Sequence, residues 1–220
     1  SCCDDNMYAF PILNAQCKKK QITPIFGINI DLKVDYLNTP LKICLFIKND
    51  AGYYSLCKII NSDRSFKNVI SNTNGLILII PTISNEEFSY LLINDEDGFT
   101  HHVFELSKHF EDTYFGIEYY QKSNKEFINR YREFASKHNY LKVCFPKHRY
   151  INKSDALSLE ILNAIKNDNR ISSKDDINGP YYFLKEHAIN TLYTKDEIQN
   201  TFNIAKSISF YFASKRGSLL

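Results

Sequence analysis

The stretch LKICLFIKNDAGYYSLCKII, residues 41–60, decides how this chain reads. Its first seven residues are apolar except for Lys42 and partly β-branched, which suits a strand. Its last eight, residues 53–60, read the same way. Between them stands Asn49-Asp50-Ala51-Gly52, residue types that favour turns. Two such runs joined by a short Gly-containing segment predict an antiparallel hairpin. Cys44 and Cys57 would then sit in its two arms as buried thiols.

The same design recurs further on. Residues 88–93 and 99–104 flank Asn94-Asp95-Glu96-Asp97-Gly98, which predicts a second hairpin. Between the two hairpins, residues 76–80 are wholly apolar and end at Pro81, as a central strand covered on both faces would. Upstream, Phe26, Ile28, Ile30, Leu32 and Val34 alternate as one strand face, and Asn38-Thr39-Pro40 ends that strand.

After residue 123 the period changes. Phe127, Ile128, Tyr131, Phe134 and Ala135 fall at helical spacing, with Ser123 and Glu126 as a capping box. Residues 140–145 read as a strand. Residues 154–167 read as a helix capped by Ser154, with Leu157, Leu159, Ile161, Leu162 and Ile165 on its apolar face. Residues 168–180 are a polar linker, and residues 181–190 are helical. Thr194 with Glu197 forms a second capping box for residues 195–214, whose last part, residues 208–212, also reads as a strand.

Strands before helices predict an α+β fold. The expected core is an antiparallel or mixed sheet built from two N-terminal hairpins and covered by helices from the C-terminal half. Residues 1–24 read as a loosely structured lead-in. Residues 25–220 read as one domain, strand-rich over 25–104 and helix-rich over 105–220.

Composition narrows the function classes. The chain has 220 residues, 27 Lys and Arg against 25 Asp and Glu, and 44% hydrophobic residues. That near-balance permits nucleic-acid contact without demanding it. The longest apolar run is far too short for a membrane span. Six cysteines, three of them within the first 17 residues and the others in apolar segments, do not make a disulfide framework. A reducing, cytoplasmic location is expected. No pair of the 7 glycines forms a phosphate-binding loop, so no nucleotide cofactor is expected.

Three constellations could carry chemistry. His101, Glu105 and His109, four residues apart, would share one face of a helix and could hold a metal ion. A cysteine nucleophile would come from Cys17, Cys44, Cys57 or Cys144, with His102 as base. Asp31, Lys33 and Asp35 could imitate a metal-dependent nuclease, although strand alternation alone groups them.

The remaining signal is basic. Lys142, Lys147, His148, Arg149, Tyr150 and Lys153 follow a predicted strand and precede a predicted helix. They form one basic, Tyr-containing loop able to neutralise phosphates and stack on bases. With no compact catalytic motif, the sequence points to a macromolecule-binding accessory or regulatory protein. Its partner would be protein or nucleic acid, and an uncovered sheet edge leaves room for a homo-oligomer. The alternative is an enzyme with a dispersed site, such as a metal-dependent nuclease or other hydrolase using residues 101–109.

Overall fold

A computed structural model describes residues 2–4, 6–82, 85–119, 125–168 and 181–212. Six strands form one mixed sheet in sequential order: β1 (Cys2–Asp4), β2 (Phe26–Leu32), β3 (Leu41–Ile47), β4 (Leu76–Pro81), β5 (Asp112–Ile117) and β6 (Leu141–Cys144). The pairs β2/β3 and β3/β4 are antiparallel, whereas β1/β2, β4/β5 and β5/β6 are parallel. The fold is α+β, with nine α-helices among the described residues.

Alternation along the strands builds two main cores, and a third, smaller cluster joins Ile117 of β5 to Ile128, Leu184 and Tyr193. Ile43, Leu45 and Ile47 of β3, Leu76, Leu78 and Ile80 of β4 and Phe115 of β5 face the larger core. It is filled by α1 (Phe10–Lys19), α2 (Asp50–Ile60), α3 (Phe66–Ile70), α4 (Glu86–Asn94), α5 (Glu96–Ser107) and α6 (Lys125–Lys137). Cys44, Phe46, Ile77, Ile79 and Val143 point the other way, onto Ile204 and Ile208. Ile204 belongs to α9 (Lys195–Ser207), which follows α7 (Ala156–Asn167) and α8 (Glu186–Leu192). Strand β4 is thus buried along its whole length, as its unbroken apolar run requires.

Neither expected hairpin forms. Residues 53–60 lie in α2, residues 88–93 in α4, and residues 99–104 in α5. The reason is the same in two places. Asn49 Oδ1 accepts from Gly52 N at 3.1 Å, and Asp95 Oδ1 accepts from Gly98 N at 2.9 Å. Each presumed turn is an N-cap followed by the first helical turn. In α2 the buried positions are Gly52, Ser55, Leu56 and Ile59, a helical period beneath a run of strand-favouring side chains. Cys44 and Cys57 are therefore not cross-strand neighbours, and neither is in a disulfide. The hairpin that does form joins β2 to β3 around the Asn38-Thr39-Pro40 break.

Other boundaries also move. Residues 2–4 and 6–24 are not a loose lead-in: they supply β1 and α1, and Phe10 is fully buried against Phe26. The larger face of the sheet is covered mostly by α1–α5, so helices from both halves enclose the sheet. Strand β5 was not legible, because its first three residues are polar or only half-buried. Thr194 and Glu197 do form a capping box on α9. The Ser123 cap and residues 169–180 of the polar linker lie outside the described residues. Residues 208–212 form no strand; Ile208 joins the smaller core and Phe210 the larger.

The outer edge of β6 is closed by side chains. Asn200 Nδ2 donates to Lys142 O at 3.0 Å, and Thr201 Oγ1 accepts from Cys144 N at 3.0 Å. An edge strand otherwise offers unpaired backbone to other chains. Here α9 removes that option along β6. No helix among the described residues is long and apolar enough to cross a membrane.

Candidate functional site

Strands β4, β5 and β6 run parallel, so their carboxyl ends lie together, the usual place for a ligand in such sheets. Several polar groups there are engaged in holding the fold. Asn85 Nδ2 donates to Pro81 O and Lys42 O at 2.9 and 2.8 Å, while its Oδ1 accepts from Lys42 N at 2.6 Å. Ser89 Oγ lies 3.0 Å from Thr82 O and from Tyr131 Oη. Thr82 Oγ1 accepts from Glu118 N at 3.2 Å. Burial pushes the Tyr131 and Tyr193 hydroxyls well above their ordinary range.

The basic loop leaves this same end of the sheet. Lys147–Lys153 follow β6 and are braced by residues 181–184. Arg149 N donates to Tyr181 O at 2.7 Å, and Tyr150 forms a single parallel bridge with Tyr182. Phe183 N donates to Ile151 O at 3.2 Å. His148 Nε2 accepts from Leu184 N at 3.4 Å, and burial lowers its pKa, which keeps the ring neutral for that role. The Arg149 guanidinium lies 5.4 Å from the Tyr181 ring centroid. Lys142 is set apart from this group, with Nζ donating to Ser136 Oγ at 2.7 Å. Lys153 opens a short 3-10 turn, Lys153–Asp155.

His101, Glu105 and His109 do not assemble a metal centre. Helix α5 ends at Ser107, so His109 leaves the shared face. Lys108 Nζ donates to both Glu105 oxygens at 2.6 Å. Among the described residues, no group of three His, Cys, Asp or Glu side chains is placed to hold a metal ion. His102 is stacked on Tyr36 with centroids 3.4 Å apart. Burial pushes the Cys144 thiol up to about 11, with Thr201, Glu197 and Arg132 around it. A thiol so disfavoured as thiolate is a poor nucleophile. Asp31, Lys33 and Asp35 are exposed and alternate with buried Leu32 and Val34.

The feature that sequence reasoning missed follows the basic loop. Helix α7 (Ala156–Asn167) is inside out. Ala156 is buried, and Leu159, Glu160 and Ala164 are half-buried on the inward side. Glu160 Oε2 is buried without a hydrogen-bond partner. Leu157, Ile161, Leu162 and Ile165 point outward, the last two 63% and 73% exposed. At 100° per residue these four span an arc of about 140°, as wide as the stripe a surface helix normally turns to its core. The apolar face was legible from its spacing; its direction was not. Ile151 and Phe183, 76% and 66% exposed, stand beside the loop that leads into α7.

No protein-family model matches this chain, and no curated protein matches it.

Proposed function

We propose that this chain is a protein-docking module whose contact surface is the outward apolar face of α7. The observation that carries the reading is the exposure of Leu157, Ile161, Leu162 and Ile165 on one helix. An isolated helix of about 12 residues is marginal in water and draws its stability from packing its apolar face. Exposed apolar patches of this kind mark sites of protein contact. The fold supplies a rigid base, since the loop entering α7 is tied to residues 181–184.

Serine substitution of Leu157, Ile161 and Ile165 together tests it. On a docking face these changes cost the thermal stability of the dilute chain no more than about 0.5 kcal/mol each. Were the same side chains part of the core, each would cost about 2–5 kcal/mol, and the docking reading would fail.

A second reading has its own observation. Arg149 held over the Tyr181 ring, with Lys147 and Lys153 in the same segment, offers cations and an aromatic surface to a phosphate-bearing strand. Nucleic-acid contact predicts binding of short DNA or RNA that weakens steeply with salt. Charge reversal at Lys147, Arg149 and Lys153 would abolish it. No binding at low salt removes this reading.

A further inference from the structure

After α9 the chain crosses from one core to the other. Ile208 is buried in the smaller core and Phe210 in the larger, Phe212 is half-buried against the larger, and Ser209 and Tyr211 alternate with them as exposed residues. Ser209 N donates to Lys48 O at 2.8 Å, which pins the crossing beside the end of β3. We propose that residues 209–212 are a latch that couples α1 to α9. When the latch lifts, α1 is released with it while the sheet stays folded.

Helix α1 has little of its own to keep it in place. Phe10 is its one fully buried residue. Its N-cap, Ala9, makes no side-chain hydrogen bond, and no acidic residue stands in its first turn. A helix of 10 residues is marginal in water unless its apolar side is packed. What packs on Phe10 is a set of rings shared with the latch. The Phe10 ring centroid lies 4.8 Å from that of Phe26 and 6.3 Å from that of Phe212. Phe212 in turn lies 5.2 Å from Phe26 and 5.3 Å from Tyr53 of α2. Phe210 stacks on Tyr53 at 5.3 Å. Asn14 Nδ2 donates to Phe212 O at 3.3 Å, a direct tie between α1 and the latch.

The sheet does not lean on the latch in the same way. Lys48 N keeps its own bond to Gly75 O at 2.9 Å, and β2, β3 and β4 pair with one another directly. The other end of the crossing is fixed, because Ile208 is buried and α9 is seated by the Arg132–Glu197 pair. The latch is continuous with α9, so a shift of α9 along β6 is passed to α1 beside β2. Segments that open separately from a core are those held by few buried contacts.

Native-state hydrogen exchange of the full chain, read by NMR, tests the coupling. The α1 amides from Leu13 to Lys19 and the Ser209 amide should exchange through one common opening, well before the amides of β4. Phe212→Ala should speed exchange in α1 about 10-fold or more. Phe10→Ala should speed the Ser209 amide by a similar factor, because the coupling is reciprocal. Phe212→Leu keeps an apolar side chain and should give a smaller acceleration in α1, readable if the alanine variant does not fold. Exchange in α1 that neither Phe212 variant changes, or a Ser209 amide that Phe10→Ala leaves untouched, overturns the latch. Exchange in α1 no faster than in β4 shows that α1 has no separate release and overturns it too.

Discussion

Arg132 grips Glu197 with two hydrogen bonds, Nε to Oε1 at 2.6 Å and Nη2 to Oε2 at 2.8 Å, and so ties α6 to α9. The carboxylate is fully buried, and its hydrogen bond raises the Arg132 pKa further. Glu197 Oε2 also accepts from Thr194 N at 2.9 Å, so the same group closes the cap of α9. Removing one partner of a buried pair leaves the other charge stranded. Glu197→Ala should therefore cost about 3 kcal/mol in urea unfolding, and Glu197→Gln less. A loss below about 0.5 kcal/mol would mean that the pair contributes nothing.

Asn49 and Gly52 set the start of α2. Asn49→Ala should cost about 1 kcal/mol, the usual worth of a side-chain cap. Gly52→Ala should cost about 2 kcal/mol or more, because a Cβ there would lie 1.9 Å from Gly75 O, a backbone atom that cannot step aside. Gly75 itself has φ of 70°, a conformation that favours glycine. Chemical denaturation of both variants checks the order.

These two residues also show where the sequence misleads. Asn49-Asp50-Ala51-Gly52 and Asp95-Glu96-Asp97-Gly98 contain the residues that turns use, flanked by Tyr, Ile and Phe. The same side-chain acceptor that starts a turn can cap a helix, and only tertiary packing decides between them. Where burial is two-sided, as in residues 76–80, or where a cap is reinforced, as at Thr194 and Glu197, local pattern and structure agree. The basic segment at residues 147–153 was legible as one loop. Its brace was not, because Leu184 meets His148 across 36 positions. The outward face of α7 was legible as apolar, but its direction depends on neighbours distant in sequence.

Glu87 pins the β2–β3 connection. Its carboxylate accepts from Asn38 N, Asn38 Nδ2 and Thr39 N at 2.9 Å each and from Thr39 Oγ1 at 2.7 Å. These donors hold its pKa down at about 2, below the roughly 4.3 of an unfolded chain. A depressed folded pKa contributes stability that is present above the unfolded value and lost as pH falls through the folded one. The chain should therefore be more stable than Glu87→Gln at pH 6, and the gap should close between about pH 5 and about pH 2. Parallel urea titrations test this; a gap independent of pH would contradict it.

Cys144 should resist alkylation. Its thiol, pushed up to about 11 by burial, carries little thiolate near pH 8. Site-resolved mass spectrometry with iodoacetamide should find Cys144 modified far more slowly in the native chain than in urea. Equal rates would show the site to be open.

The central claim, that α7 turns its apolar face outward for a partner, is tested most directly by thiol labelling of Ile165→Cys in the native chain at about 0.1 µM, dilute enough to keep weak partners apart. The account predicts labelling nearly as fast as in the unfolded chain. Protection at that concentration, equal to that in the core, would place Ile165 inside the fold and contradict the account.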